Sequence, residues 1–439
     1  MKKYSIYIIF GVILTIGIWI RSINFTVWPR EGSTFDEFAW TFQGLSIIKT
    51  GMPTSWSPHS AYTHRTEWYN PQGAHFILVT PYLEHPPLFG LVAGGYARLA
   101  GIREFSEVTA AKIRPLALIL GALSIIAVFL LGKSVFGARI GLLAAFLYAI
   151  VPTVAIGSRL VQNENFFIPF FLFSLYFANE YIKKPTYGKL IGAIALSSIL
   201  PLAKVPWIAA PISIILLFLT HRRWKEAGYT AVLTFICFSG FLLYGFILDG
   251  MVFTNLWKLQ LARYDMAFDS LFALFRNPLI ADRTFVDGWI YFGWAAMVWL
   301  LGRDMKKNFP VILGFLAYFA VYVFAIPNEP LHGWYRYPFY PFLILATAGM
   351  IDEFVNTNYF LQALFFVVIG ASMFAESWGK VLGFSYTVFR SFLILVTFGA
   401  LPAFFPRLNG KKIYKWLNYG IYSILIVLSL WSVILYNEQ

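Results

Sequence analysis

A polytopic, all-helical membrane fold is predicted by three features of the sequence. The 439 residues are 59% hydrophobic and only 13% charged, where soluble domains carry about 25% charged residues. The apolar residues form long continuous runs along the whole chain, without the period-two alternation of a membrane β-barrel. The basic residues gather in short connections between runs, the distribution that sets topology in a bilayer. That distribution accounts for the formal net charge of +13 without a nucleic-acid partner. The single cysteine, Cys237, lies in an apolar run; it excludes an intramolecular disulfide and a cysteine-based metal cluster, and reads as a small core residue.

In chain order, the first apolar run follows Met1-Lys2-Lys3 and ends at Trp19-Ile20-Arg21 without a small-residue cleavage site. It reads as an uncleaved anchor. About thirteen spans of about 20 residues each are expected, centred near residues 13, 123, 148, 173, 195, 213, 238, 294, 317, 345, 367, 396 and 426. With that number, Lys133/Arg139, Lys183/Lys184/Lys189, Arg222/Arg223/Lys225, Arg303/Lys306/Lys307 and Arg407/Lys411/Lys412/Lys415 all share one side with Lys2 and Lys3. The positive-inside rule makes that side cytoplasmic. The expectation is a multi-pass plasma-membrane protein with its N-terminus inside, its C-terminus outside, and residues 23–113, 250–286 and 327–337 on the outer face. The whole of 1–439 reads as one membrane domain with no separate soluble domain.

The first outer segment carries the densest chemistry. Thr34 and Glu37 have capping-box spacing, Phe35, Phe38, Phe42, Leu45 and Ile48 recur at helical intervals, and Gly51 offers a stop. This predicts an amphipathic interfacial helix over about 34–50. Asp36 and Glu37 stand at its start; the bland reading gives Glu37 to the capping box and Asp36 to the helix dipole. Pro86 and Pro87 open a second interfacial helix, about 87–99, ending near Gly101, with Glu84 and His85 just before it. Trp56, Tyr62, Trp68 and Tyr69 lie between the two helices and suit either an interfacial belt or stacking on a sugar. His59, His64 and His75 show no metal-binding spacing.

Further along, Glu164 begins a span, where a carboxylate needs a partner or a cavity; Arg159 is the expected partner. Lys204 interrupts an outer turn and suits phosphate binding as a point charge, or snorkelling. Lys112 and Arg114 suit snorkelling or an anionic lipid headgroup. Arg336, flanked by Tyr335 and Tyr337, suits bidentate phosphate recognition. Acids and bases thus meet at one face, with few in mid-span. A lipid-borne anionic substrate fits that pattern; a proton-coupled transporter needs acids at mid-depth.

Five segments in order resemble the GT-C glycosyltransferases, in the branch of protein O-mannosyltransferases and lipid A aminoarabinose transferases. They are Phe35-Asp36-Glu37, Glu84-His85-Pro86-Pro87-Leu88, Ile113-Arg114-Pro115, Ser158-Arg159-Leu160 with Glu164, and Arg336-Tyr337 with Pro338 and Pro341. The resemblance covers about residues 1–350. It implies a GT-C fold and an inverting hexosyl or pentosyl transfer from a polyprenyl-phosphate-linked sugar to a lipid, glycan or protein acceptor on the outer face. It implies Asp36 as general base, with Glu37 beside it as catalytic. Glu84, His85 and Glu164 would line the acceptor and sugar site, and Arg114, Arg159, Lys204, Arg336 and Tyr337 the donor phosphate. A divalent metal at Glu84 and His85 stays open. Glu164 stands where relatives more usually carry Asp. The competing readings are a transporter or flippase of lipid-linked sugar or another amphipathic solute, and an assembly protein without chemistry.

Overall fold

The computed structural model describes residues 3–438 except 33, 72, 263–270, 272–273, 275–278, 281–282, 285–287, 327–332, 356, 375–377 and 380–381. The protein is mostly helix, and a helix stands at each of the thirteen expected centres. Helix α1 (Lys3–Ser22) leads to an outer layer of α2 (Asp36–Thr50), a small sheet, α3 (Leu88–Leu99) and the single turn α4 (Ala110–Ile113). The bundle continues with α5 (Pro115–Phe136), α6 (Ala138–Ile150), short α7 (Pro152–Gly157), α8 (Asn163–Lys183), α9 (Tyr187–Ile199), α10 (Ala209–Thr220) and α11 (Trp224–Ala262). It ends with α12 (Gly288–Leu301), α13 (Met305–Ala325), α14 (Tyr340–Phe354), α15 (Tyr359–Met373), α16 (Tyr386–Phe404) and α17 (Lys412–Ile434).

Among the described residues six helices, α1, α5, α11, α13, α16 and α17, are long and apolar enough to cross a membrane by length and composition. Several others, among them α6, α12 and α15, are apolar but shorter, at 10–17 residues. The expected number of thirteen complete crossings is therefore not met by length alone. Bilayer-facing side chains explain the many exposed large apolar residues, such as Phe235, Ile247 and Trp416.

Arg21 ends α1 yet is fully buried. Its guanidinium donates to the carbonyls of Tyr148 (2.9 Å) and Ala149 (2.7 Å) and to the Ser158 hydroxyl (2.8 Å). The two carbonyls belong to the last turn of α6, where no intrahelical donor exists. Arg21 is thus a side-chain cap that fixes the outer end of α1 to α6 and to the turn before α8.

The outer layer departs from the amphipathic expectation. Helix α2 is buried continuously from Glu37 to Ser46, not along one stripe. It crosses α3 so closely that a Cβ on Gly44 would lie 1.8 Å from the Gly90 carbonyl oxygen. Gly51 ends α2 as expected, with φ +76 and its N–H on the Ile47 carbonyl at 2.9 Å. A three-stranded antiparallel sheet covers α2: β1 (Ser55–Trp56), β2 (Arg65–Tyr69) and β3 (His75–Val79), with β3 in the centre. The sequence reading contained no strands here. Trp56 and Trp68, each half-buried, pack with Phe35, Phe42, Phe76 and Phe105, so one side of each ring is held by the core. Tyr62 is buried, and only Tyr69 of the four aromatics is largely exposed.

The segment expected to form an outer loop over 250–286 is helical up to Ala262. Helix α11 bends at Asp249 (φ −164, ψ 94), whose Oδ1 accepts from the backbone N–H of Met251 and Val252. That capping interaction starts a new helical axis. The outer half then packs Val252, Phe253 and Leu256 against Tyr62, Val79, Tyr82 and Leu83 of the outer layer. Much of 263–287 and of 327–337 lies outside the described residues.

Candidate active site

A cavity of about 380 Å³ opens where the outer layer meets the bundle. Its polar lining comes from Glu84, His85, Lys204, Gln260 and Tyr335. Its walls are apolar: Leu256 and Trp257 from outer α11, Phe324 and Ile326 from the end of α13, and Val205 and Pro206 after the lysine. Lys204 sits in an extended residue between two 3-10 turns, Leu200–Leu202 and Val205–Ile208, where the chain reverses between α9 and α10.

The Lys204 ammonium is nearly buried and lies 2.8 Å from Glu164 Oε1 and 4.4 Å from the Tyr335 ring centre. This corrects the expected pairing of Glu164 with Arg159. Burial disfavours the ammonium, but the Glu164, Tyr335 and Asp36 charges outweigh it and hold Lys204 protonated. Asp36, at the first position of α2, faces the same pair. Burial raises its pKa to about 6; Lys204 and the Gln162 amide pull it down, while Glu164 and Glu37 push it up.

Glu84 is held from the outer layer. Its carboxylate accepts from the Ser57 hydroxyl, and His59 Nε2 lies 3.7 Å away. The Tyr62 hydroxyl accepts from the Leu83 N–H at 3.0 Å and contacts Glu84 too. His85 packs its ring on Trp40 at 4.9 Å, and its carbonyl accepts from Gln43. Glu84 and His59 therefore face one another as acid and imidazole.

The remaining expected site residues lie elsewhere. Glu37 does not close a capping box: α2 has no side-chain cap, and Thr34 Oγ1 instead accepts from the Asp36 N–H at 3.2 Å. The Glu37 carboxylate is wholly buried and accepts from Arg114 Nε (3.1 Å), Arg114 Nη2 (2.9 Å) and the Val161 N–H (2.9 Å). Arg114 also donates to the carbonyls of Phe25 and Pro29. It is buried rather than snorkelling, because acceptors inside the fold already match its fork of donors. Arg159 is fully buried and donates to the Ile20 carbonyl at the end of α1. Arg336 borders a separate small cavity with Thr153, Trp294 and Tyr340. Tyr337 packs against Gly157, where a Cβ would lie 2.6 Å from its ring.

The fold thus gathers Asp36, Glu84, His85, Glu164 and Lys204, and uses Glu37, Arg114 and Arg159 as internal braces. Sequence reasoning noted His59 and Tyr62 without linking either to Glu84, and missed Ser57 and Gln162. The first three reach Glu84 through loops around β1, and Gln162 reaches α2 from 128 residues away; no local period reports such contacts. Among the described residues no group of three or more His, Cys, Asp or Glu side chains converges as a metal site.

Residues 84–244 match a family model described as dolichyl-phosphate-mannose-protein mannosyltransferase. No curated protein matches the chain by sequence. Among solved structures, ArnT from Cupriavidus metallidurans bound to undecaprenyl phosphate is 15% identical, with a TM-score of 0.57 over 99% of this chain and 77% of that one. The apo oligosaccharyltransferase of Archaeoglobus fulgidus is 14% identical, with a TM-score of 0.54 over 98% of this chain and 56% of that one. The Archaeoglobus fulgidus oligosaccharyltransferase AglB in complex with an inhibitory peptide and a dolichol-phosphate is 13% identical, with a TM-score of 0.50 over 98% of this chain and 56% of that one.

Proposed function

This chain has the GT-C glycosyltransferase fold, and from that premise we propose that it transfers a sugar from a polyprenyl-phosphate donor to an acceptor hydroxyl at the outer membrane face, with inversion. The observation that carries the reading is the cavity itself: a cation, a carboxylate and an imidazole in a lining that is otherwise mainly apolar. A prenyl chain suits such walls, and a phosphate suits Lys204. That two solved GT-C structures hold a polyprenyl or dolichol phosphate agrees with this donor class. The positive-inside distribution supports the outer placement.

In the proposed step the acceptor oxygen attacks the anomeric carbon from the face opposite the phosphate. The C–O bond to phosphate breaks, and polyprenyl phosphate departs with the electron pair. Asp36 takes the acceptor's proton. Lys204 meets the growing charge on the leaving phosphate, and tyrosine and tryptophan rings keep water from diluting that attraction. Glu164 holds Lys204 in place, and Glu84, with His85 beside it, lines the sugar and acceptor space. Glu37, Arg114 and Arg159 act on the frame, and Arg336 and Tyr337 pack the segment that carries Tyr335. If a divalent cation takes part, Glu84 and His59 are the pair that would meet it.

The test gives purified protein a panel of short-chain polyprenyl-phosphate sugars and measures released polyprenyl phosphate. Wild type is expected to turn over one donor, and Asp36→Asn to lose about 10²–10⁴-fold, the range for a general base. No turnover of any donor, together with movement of lipid-linked sugar across liposomes, would replace this reading with a transporter.

A further inference from the structure

We propose that Gln162 is the positioning residue for Asp36: its side-chain amide, clamped on Thr34, holds the carboxylate in place to receive the acceptor's proton. This rests on the reading of Asp36 as the base.

Gln162 occupies the N-cap position of α8 with extended backbone (φ −117, ψ 146), yet its side chain makes no cap. It is fully buried, a costly place for an amide without partners. Its Nε2 donates to Thr34 Oγ1 at 2.9 Å, and that same oxygen accepts from the Asp36 N–H at 3.2 Å. Thr34 Oγ1 thus joins the Gln162 amide to the backbone of Asp36, and the amide's proximity favours the ionised form of the Asp36 carboxyl. A cap position has thus been given up so that an uncharged donor can serve the first residue of α2.

The backbone that carries Gln162 is fixed on both sides. Val161 donates its N–H to Glu37 at 2.9 Å. Asn163 donates to the Ala203 carbonyl at 2.9 Å and accepts from Trp207 Nε1 at 2.6 Å. Glu164 holds Lys204 at 2.8 Å. The charged or titratable groups facing Asp36 are Lys204 from the α9–α10 turn, Glu164 from α8, Glu37 from α2 and Tyr82 beyond β3. Glu164 and Glu37 are each paired to a cation, and after Lys204 the neutral Gln162 amide is the next group that favours the ionised form of Asp36. A hydrogen bond to a carboxylate favours the charged state.

The experiment is a pH series on Gln162→Leu with two readouts. One is donor turnover. The other is an infrared difference titration of the Asp36 carboxyl, identified by subtracting Asp36→Asn, which needs no turnover. The expected result is an upward move of about one pH unit in the Asp36 titration and in the acid limb of kcat/KM, so activity near pH 6 falls about tenfold while activity near pH 8.5 is kept. An equal loss of activity at every pH, with the Asp36 titration unmoved, overturns the assignment. Thr34→Val, which releases the amide, carries the same test with the same sign if Gln162→Leu does not fold. Wild type inert toward every donor sinks the transferase reading, and the infrared titration still decides the role of Gln162.

Discussion

Asp36 and Glu37 are neighbours in sequence and have opposite surroundings. Glu37 is sealed against Arg114 with three donors on its oxygens, whereas Asp36 is only partly buried and borders the Lys204–Glu164 pair. Removing one partner of a buried pair leaves an uncompensated charge, which costs about 3–5 kcal/mol. Arg114→Met and Glu37→Met are each expected to lower thermal stability strongly in detergent, and the double substitution to recover much of that loss. Additive losses would break the pairing assignment. The charges around Asp36 set the direction of two further changes. A base works only when ionised, so turnover should rise as pH passes through about 6. Lys204→Gln removes a charge that lowers the Asp36 pKa, so the acid limb should move to higher pH and donor affinity should fall. Glu164→Gln removes a charge that raises it, so the limb should move to lower pH. Shifts in the same direction would contradict this electrostatic arrangement.

At the scale of elements, the outer layer depends on how closely α2 and α3 approach. Gly44 faces Gly90 and Gly94 backbone with no room for a methyl group. Gly44→Val is therefore expected to separate the two helices, displacing Asp36 and the Glu84 segment together, and to lower turnover as well as thermal stability. Overpacking of this kind typically costs about 1–3 kcal/mol. Gly95, on the open side of α3, has no atom within 4 Å of a built Cβ, so Gly95→Ala should leave both nearly unchanged. The Asp249 bend gives a second test. Losing a helix cap costs about 1 kcal/mol, so Asp249→Ala should loosen outer α11 and raise the KM for a lipid donor, while kcat at saturation changes little. Proteolysis of outer α11 would report the loosening directly.

Across the whole molecule, the fold class, the thirteen helical centres and the two helices of the first outer segment are legible from apolar periodicity and from proline and glycine stops. These are one-dimensional signals: the bilayer requires continuous apolar runs, and helices close their own hydrogen bonds. The ordered motifs were also enough to point to the GT-C fold and to mark Asp36, Glu84 and Glu164 as residues of interest, while Lys204 stood out as a charge interrupting an apolar turn. The partners of those residues were decided only in three dimensions. Arg114 and Glu37 are 77 positions apart, Lys204 and Glu164 are 40 apart, and Gln162 and Thr34 are 128 apart. Sequence spacing offered Glu164 the nearer Arg159, and Glu37 the nearer Thr34, and both choices failed because burial leaves each charge to the cation that the packing delivers. The same holds for the small outer sheet, whose strands are too short and irregular to show alternation and whose tryptophans resemble a membrane belt until they are seen packed on α2. Composition and periodicity thus marked where the helices run and which connecting segments gather charge. Tertiary packing alone decided which charge answers which, because ion-pair geometry depends on distances that the linear chain does not contain.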